Sequence, residues 1–151
     1  MAGPGSLPAL PSAKDLMKQI ALEEAEKASH AMRERTAAEN EKQALLEKLA
    51  KPSGVSDDQR LERAIAIINR AAKNGLTEVE VTRFPNALCT DRGRAINQQE
   101  AGWEETLTGL PRELFEFWKH YLKPQGYKLR VQIVDFPGGL PGDIGITLSW
   151  R

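Results

Sequence analysis

Residues 12–50 follow the pattern of one long polar helix. The stretch from 13 to 50 contains neither Gly nor Pro and is dominated by Ala, Glu, Lys, Leu and Arg, which favour helix. Ser12 can cap the start, and the KPSG sequence at 51–54 is a typical stop signal. At about 1.5 Å per residue, such a helix reaches roughly 57 Å, which is longer than a small domain is wide.

The apolar residues of this helix form a thin stripe that admits two interpretations. Ala21, Ala25, Ala28 and Met32 recur at spacings of 4, 3 and 4 residues, as in a coiled coil. The pattern loses this register from Arg35 onward. Either the helix is solvated and stabilised by propensity and by charge pairs, or it docks on a protein partner or a second copy of itself. The candidate docking residues are Met17, Ile20, Ala21, Ala25, Ala28 and Met32.

A second pattern indicates a compact domain over 58–151, after a linker at 51–57 that contains Pro, Gly and two Ser. A helix with a continuous apolar face is expected to follow the capping residue Ser56 and to end at Asn74-Gly75. Strict alternation of apolar and polar residues then predicts a half-buried strand over 77–83.

The rest of this domain is predicted to contain two helices and a terminal hairpin. One helix is expected over 86–96 and a stronger one from Gly109, while alternation over 127–133 and 144–150 predicts the hairpin. The fold class is therefore α+β, a two-layer sandwich of a three-stranded sheet covered by helices and preceded by a long N-terminal helix. The order of the strands is left open. The apolar face of the stronger helix comprises Leu114, Phe115, Trp118, Tyr121 and Leu122.

The C-terminal third carries the sequence LKPQGYKLRV at 122–131, then the hairpin pattern, and ends with ITLSW at 146–150. A helix end, a Gly-Tyr turn, a hairpin and an Ile-x-x-x-Trp strand in this order resemble a group of small uncharacterised bacterial and phage α+β proteins. The resemblance implies no activity and no functional residue.

Composition and charge restrict the classes of protein to consider. Lys+Arg and Asp+Glu both number 21, so overall positive charge does not attract this chain to nucleic acid. One Cys and two His give no disulfide framework and no structural zinc site. No apolar run approaches the roughly 20 residues that span a bilayer, and the long helix lacks the basic excess of a membrane-surface helix. We expect no cofactor, no metal and no membrane partner.

The first residues indicate a flexible arm. Residues 1–11 contain three prolines and no basic side chain, a pattern that is incompatible with a signal peptide. Together with the single cysteine, it favours a reducing compartment, and we expect a cytoplasmic protein.

The densest polar cluster of the compact domain lies around residues 83–94. Arg binds phosphate through a bidentate fork, and a helix beginning near Asn86 would add backbone N–H donors. The same residues would also suit a solvated surface with local ion pairs. The candidate anion site consists of Arg83, Asn86, Arg92 and Arg94.

Three further features allow a functional interpretation beside a structural one. Cys89 is a candidate nucleophile if His120 acts as its base, and otherwise a small buried residue. Asp135 and Asp143 flank the hairpin loop, either as paired carboxylates or as strand-end acids that cap turn amides. Phe117 points away from the apolar face of its helix, so we expect an exposed patch there on which another chain docks.

These residues indicate no particular reaction. Our first hypothesis is a non-enzymatic interaction protein, in which the α+β module carries the binding surface and residues 12–50 set the oligomeric state or reach a partner. The alternative is a small module that binds a phosphate-bearing ligand or nucleic acid through the arginine cluster, although nucleic acid is not favoured. A Cys89-dependent enzyme is the third hypothesis.

Overall fold

The computed structural model describes residues 9–151, and the chain divides into two compact units. The first unit ends at Gln43 and the second begins at Ala44. Of the arm predicted at 1–11, residues 1–8 lie outside the described residues.

Helix α1 (Ala13–Ala50) confirms the predicted long helix. The hydroxyl oxygen of Ser12 accepts the backbone N–H of Asp15 at 3.0 Å and so caps the first turn. Every described residue of the first unit is exposed. This part of α1 is therefore stabilised by its own hydrogen bonds and by helix propensity, because no core covers it.

The second unit is α+β, as predicted. Its elements are α2 (Asp57–Lys73), β1 (Glu78–Phe84), α3 (Arg94–Asn97), α4 (Gly109–Phe117), β2 (Lys128–Ile133) and β3 (Ile144–Ser149). Helix α2 begins with a complete capping box: the Ser56 hydroxyl accepts the Gln59 N–H, and the Gln59 side chain accepts the Ser56 N–H. Helix α4 continues as one π-helical turn, Trp118–Leu122.

The three strands form an antiparallel sheet in the order β1-β3-β2, which makes the last strand of the chain the central one. Strands β2 and β3 form the predicted hairpin, and β1 pairs with the other edge of β3. The register of β1 shifts between Glu80 and Thr82, as in a β-bulge. Because β3 has a neighbour on each side, it is the most buried strand, and Ile144 and Ile146 have no exposed surface.

Two clusters of buried apolar side chains form the core of this unit. Removal of such side chains from water is the main force that holds the helices on the sheet. The apolar face of α2 packs against the second cluster. The first cluster comprises Phe84, Leu88, Cys89, Ile96, Leu107, Phe115, Ile144 and Ile146, and the second comprises Phe117, Leu122 and Leu148.

The end of α1 and the predicted linker belong to the second unit. Leu46 and Leu49 pack against the first cluster. The Ser53 hydroxyl donates to the Glu113 carboxylate at 2.7 Å, and the Ser53 N–H donates to the same carboxylate at 3.2 Å. The segment at 51–57 is therefore attached to α4 by hydrogen bonds, although its composition is that of a linker.

The continuous helix predicted over 86–96 is wrong. A single 3-10 turn covers Asn86–Leu88, and α3 begins only at Arg94. The Asp91 carboxylate accepts the N–H groups of Gly93 at 3.0 Å and Ala95 at 2.9 Å, and such local bonds compete with helix. Gly93 is also left-handed, with φ of 84°, which interrupts any continuous helix.

The exposure expected of Phe117 is wrong as well. Phe117 is 7% exposed because the apolar face of α2 covers the side of α4 that the helical pattern left to solvent. Tyr121, expected in the core, is 36% exposed, and its hydroxyl donates to Asp57 at 2.8 Å. A π-helical turn changes the angle between successive side chains, so the pattern of an ideal α-helix does not extend through this turn.

Candidate functional site

Strand β1 places Arg83 beside both ends of the β2–β3 connection. Its Nη2 lies 2.8 Å from the Asp135 carboxylate and its Nε lies 3.1 Å from the Asp143 carboxylate. The hydrogen bond to Asp143 and the two negative charges raise the pKa of Arg83 above its ordinary value. All three side chains are roughly half exposed.

The two hairpin acids converge, as the sequence suggested. Asp135 accepts the backbone N–H of Asp143 at 2.6 Å through its side chain and that of Gly142 at 3.0 Å through its carbonyl. These bonds close the loop, and the negative charge of the pair is directed at Arg83. The arrangement matches strand-end acids that cap turn amides.

The other members of the predicted anion site have partners of their own. Arg94 forms an ion pair with Glu100 at 2.9 Å, and the Asn86 amide donates to the Pro141 carbonyl at 2.8 Å. Arg92 is exposed and forms no ion pair with any described residue. The anion site stays a prediction, and two of its three arginines already face carboxylates.

The Asp91 carboxylate occupies the start of α3, where an anion would otherwise bind. Partial burial raises its pKa, but the backbone N–H bonds from Ala95 and Gly93 outweigh that effect, and the pKa of Asp91 lies below its ordinary value. The N–H donors of this turn are therefore satisfied within the chain.

Cys89 lies in the first core cluster and is 3% exposed. Burial raises the pKa of its thiol to about 11, so the thiol is protonated at neutral pH. The candidate base His120 lies in the π-helical turn, and its ring is exposed. The centres of the His120 and Tyr121 rings are 4.7 Å apart, in an edge-on arrangement. Their surroundings give no support to a cysteine nucleophile.

The candidate docking residues of α1 are all exposed. Met17 is 63% exposed, Ile20 40% and Met32 69%, and the alanines between them are exposed too. Since no described residue of the first unit is buried, this stripe has no intramolecular cover. Its role in docking stays a prediction.

Sequence reasoning missed Arg60, a buried cation on α2. The residue is 9% exposed, and its Nη2 donates to Ser53 at 2.8 Å and to the Glu113 carboxylate at 3.2 Å. Its guanidinium carbon lies 5.9 Å from the centre of the Phe117 ring. Its Nη1 has no hydrogen-bond partner, and among residues 9–151 it is the one buried side-chain nitrogen or oxygen in that state. The available signal was that Arg60 lies one helical turn before the apolar Ala64.

Arg60 borders a partly open cavity of about 270 Å³ between α2, α4 and the sheet. Arg63 lies at its edge, and within the described part of the chain no acidic residue lines it. The helix side chains lining it include Leu114 and Phe117, and the sheet contributes Val81, Leu129, Ile146 and Leu148.

Comparison with protein-family models, with curated proteins and with solved structures finds no match to this chain. Within residues 9–151, none of the helices has both the length and the apolar character needed to cross a bilayer. The same residues contain no group of three or more His, Cys, Asp or Glu side chains placed to hold a metal ion.

Proposed function

We propose that the chain is a non-enzymatic interaction protein, in which α1 associates with the α1 of a second copy. The observation that carries this proposal is the exposure of the apolar stripe. Met17 and Met32 are each more than half exposed, and nothing in the first unit buries them. An uncovered apolar stripe on a long helix is typical of a surface that becomes buried on association.

A second copy is the partner that we favour because α1 carries balanced charge. Residues 12–51 contain eight acidic and eight basic side chains, so two copies meet without net repulsion. The alanines at 21, 25 and 28 allow two helix backbones to approach closely. The α+β unit would then be presented in pairs, and it would carry the surface that binds further partners.

The proposal is tested by sedimentation velocity of the full chain from low micromolar to millimolar concentration. The test variant Ala21→Glu with Ala28→Glu places two negative charges on the stripe. The matched control, Gln19→Glu with Ala37→Glu, adds the same charge on the opposite side of the helix, given about 100° per residue. Glu is a good helix former, so both variants keep α1 helical.

We expect the full chain and the control to sediment as dimers at high concentration and the stripe variant to remain monomeric. A full chain that is monomeric at every concentration would overturn the proposal. Equal weakening of association by both variants would also overturn it, because general charge repulsion and not the stripe would then be responsible.

A cytoplasmic location is part of the proposal. The single cysteine, Cys89, is buried, so the chain has no internal disulfide to form in an oxidising compartment. A fusion to a redox-sensitive fluorescent reporter, read in living cells, tests this location.

A further inference from the structure

We propose that the cavity beside Arg60 binds a small amphipathic carboxylate, with its apolar body inside the cavity and its carboxylate on the guanidinium of Arg60. This ligand site lies wholly within the second unit, and it goes beyond the proposed role of α1. The proposal rests on the size of the cavity, on its charge and on the unpartnered nitrogen of Arg60.

The cavity suits an apolar body of modest size. Its volume of about 270 Å³ is many times the roughly 10–15 Å³ that a single water molecule requires. Val81, Leu114 and Leu129 contribute apolar walls. Small-molecule sites combine such walls with a few polar groups that orient the ligand.

The charged residues that line the cavity are both basic. Arg60 and Arg63 line it, and no acidic residue of the described chain does. Glu113, which pairs with Arg60, lies outside this lining. Arg63 is exposed and forms no ion pair with a described residue, so its charge remains available to an anion at the cavity edge. Because Glu113 already pairs with Arg60, the unpaired charge of Arg63 is what favours a negatively charged ligand group over a neutral or positive one.

Arg60 is held ready for a ligand. Its Nη2 is fixed by Ser53 and Glu113, and its guanidinium lies near the ring of Phe117, so little side-chain freedom is lost on binding. Its buried Nη1 has donors without an acceptor, an arrangement that is unfavourable until an acceptor arrives. A ligand carboxylate would supply that acceptor.

The test uses the full chain, ¹⁵N-labelled, and four small probes. Octanoate has the proposed chemistry, octylamine reverses its charge, 1-octanol removes it, and acetate removes the apolar body. The first readout is the indole N–H of Trp118, which lines the cavity and donates to the Tyr127 carbonyl at 3.0 Å. The second readout is the melting temperature, which a ligand specific for the folded state raises.

Two substitutions localise the binding. Arg60→Gln removes the charge-assisted bond, and we expect at least roughly tenfold weaker octanoate binding. Ala64→Phe fills the cavity without altering Arg60, and we expect it to abolish binding. The matched control is Ala72→Phe, an exposed position of the same helix that lies outside the cavity lining. If Arg60→Gln fails to fold, the Ala64 and Ala72 pair decides the question.

The proposal predicts that octanoate shifts the Trp118 signal and raises the melting temperature, while octylamine and acetate do neither at the same concentration. The proposal is overturned if octanoate does not shift the Trp118 signal. It is also overturned if octanoate and 1-octanol bind equally well, because binding would then not depend on the charge of the ligand. The same measurement is made on the Ala21→Glu, Ala28→Glu variant, which is not expected to associate through α1. A shift of its Trp118 signal on concentration without any probe would show that a second copy fills the cavity, and this result also overturns the proposal.

Discussion

At the scale of single residues, the second unit is distinguished by the way it pairs charges across the fold. Arg60 is buried and forms an ion pair with Glu113. Arg83 is half exposed and forms ion pairs with both Asp135 and Asp143. Ion pairs at the surface contribute little to stability, but a buried charge without its partner is strongly unfavourable. We therefore expect stability to depend more on the Arg60–Glu113 pair than on the exposed pairs of Arg83.

We expect Glu113→Gln to lower the free energy of unfolding by about 1–3 kcal/mol, because Arg60 stays buried without its anionic partner. The control Glu116→Gln breaks the exposed ion pair with Arg112 on the same helix and should change stability by less than about 0.5 kcal/mol. Urea unfolding at neutral pH measures both, and equal losses would contradict the assigned role of Glu113.

The same pair makes a prediction about pH. Partial burial raises the pKa of Glu113, but the hydrogen bonds from Ser53 and the charge of Arg60 outweigh it, so the folded pKa lies below the ordinary value of 4.5. The charged carboxylate therefore stabilises the fold above that value, and the contribution is lost as the pH falls through the folded pKa. The difference between wild type and Glu113→Gln should shrink on acidification, as urea unfolding over a range of pH would show.

Cys89 provides a second prediction at this scale. With a pKa of about 11 and 3% exposure, about one thiol in a thousand is ionised near pH 8, and the side chain is shielded from reagent. We expect alkylation by iodoacetamide to be at least roughly a hundredfold slower in the native protein than in the urea-unfolded protein. Equal rates would restore the hypothesis of a reactive cysteine.

At the scale of elements, the last turn of α1 packs closely against the start of α4 within the second unit. Gly109 begins α4 with φ of 59°, in contact with the backbone of the last turn of α1. A Cβ at this position would overlap the Leu49 carbonyl oxygen and lie 2.8 Å from the Cα of Ala50. The glycine therefore permits both the left-handed turn and the close approach of two helix ends.

This contact predicts unequal effects of the same substitution at two glycines. Gly75 follows α2 with φ of 79°, but a Cβ there meets no atom within 4 Å. We expect Gly75→Ala to lower the free energy of unfolding by about 1–2 kcal/mol through backbone strain alone. Gly109→Ala should lower it by roughly 2–5 kcal/mol, since steric overlap adds to the strain. Similar losses in urea unfolding would show that the two helix ends are not in contact.

At the scale of the whole molecule, helix α1 extends from the first unit into the second. Residues 9–43 contribute no buried surface, whereas Leu46, Leu49 and Ser53 contact the core or α4 of the second unit. Folding free energy comes mainly from buried apolar surface, so the second unit should account for nearly all of the stability of the monomer.

Truncation tests this division. At concentrations where the full chain is monomeric, we expect residues 44–151 to unfold cooperatively with nearly the free energy of the full chain. Residues 54–151 lack Leu46, Leu49 and the Ser53 bonds and should be less stable by roughly 2–4 kcal/mol. A fragment 54–151 as stable as the full chain would instead locate the whole core after Gly54.

The amino-acid sequence alone determined the features that depend on near neighbours. The α1 helix follows from propensity, the capping box of Ser56 and Gln59 from a spacing of three residues, and the terminal hairpin from strict alternation. Each of these patterns involves residues that are close in sequence, so it can be recognised without knowledge of the tertiary structure.

The features that join distant parts of the chain depend on tertiary packing. The central place of β3, the burial of Phe117 and the pairing of Arg60 with Glu113 depend on elements brought together by packing. Arg60 and Glu113 are 53 positions apart, and Arg83 and Asp143 are 60 apart. No local pattern encodes such a pair, because its free energy depends on the shape and dielectric of a core that exists only after folding.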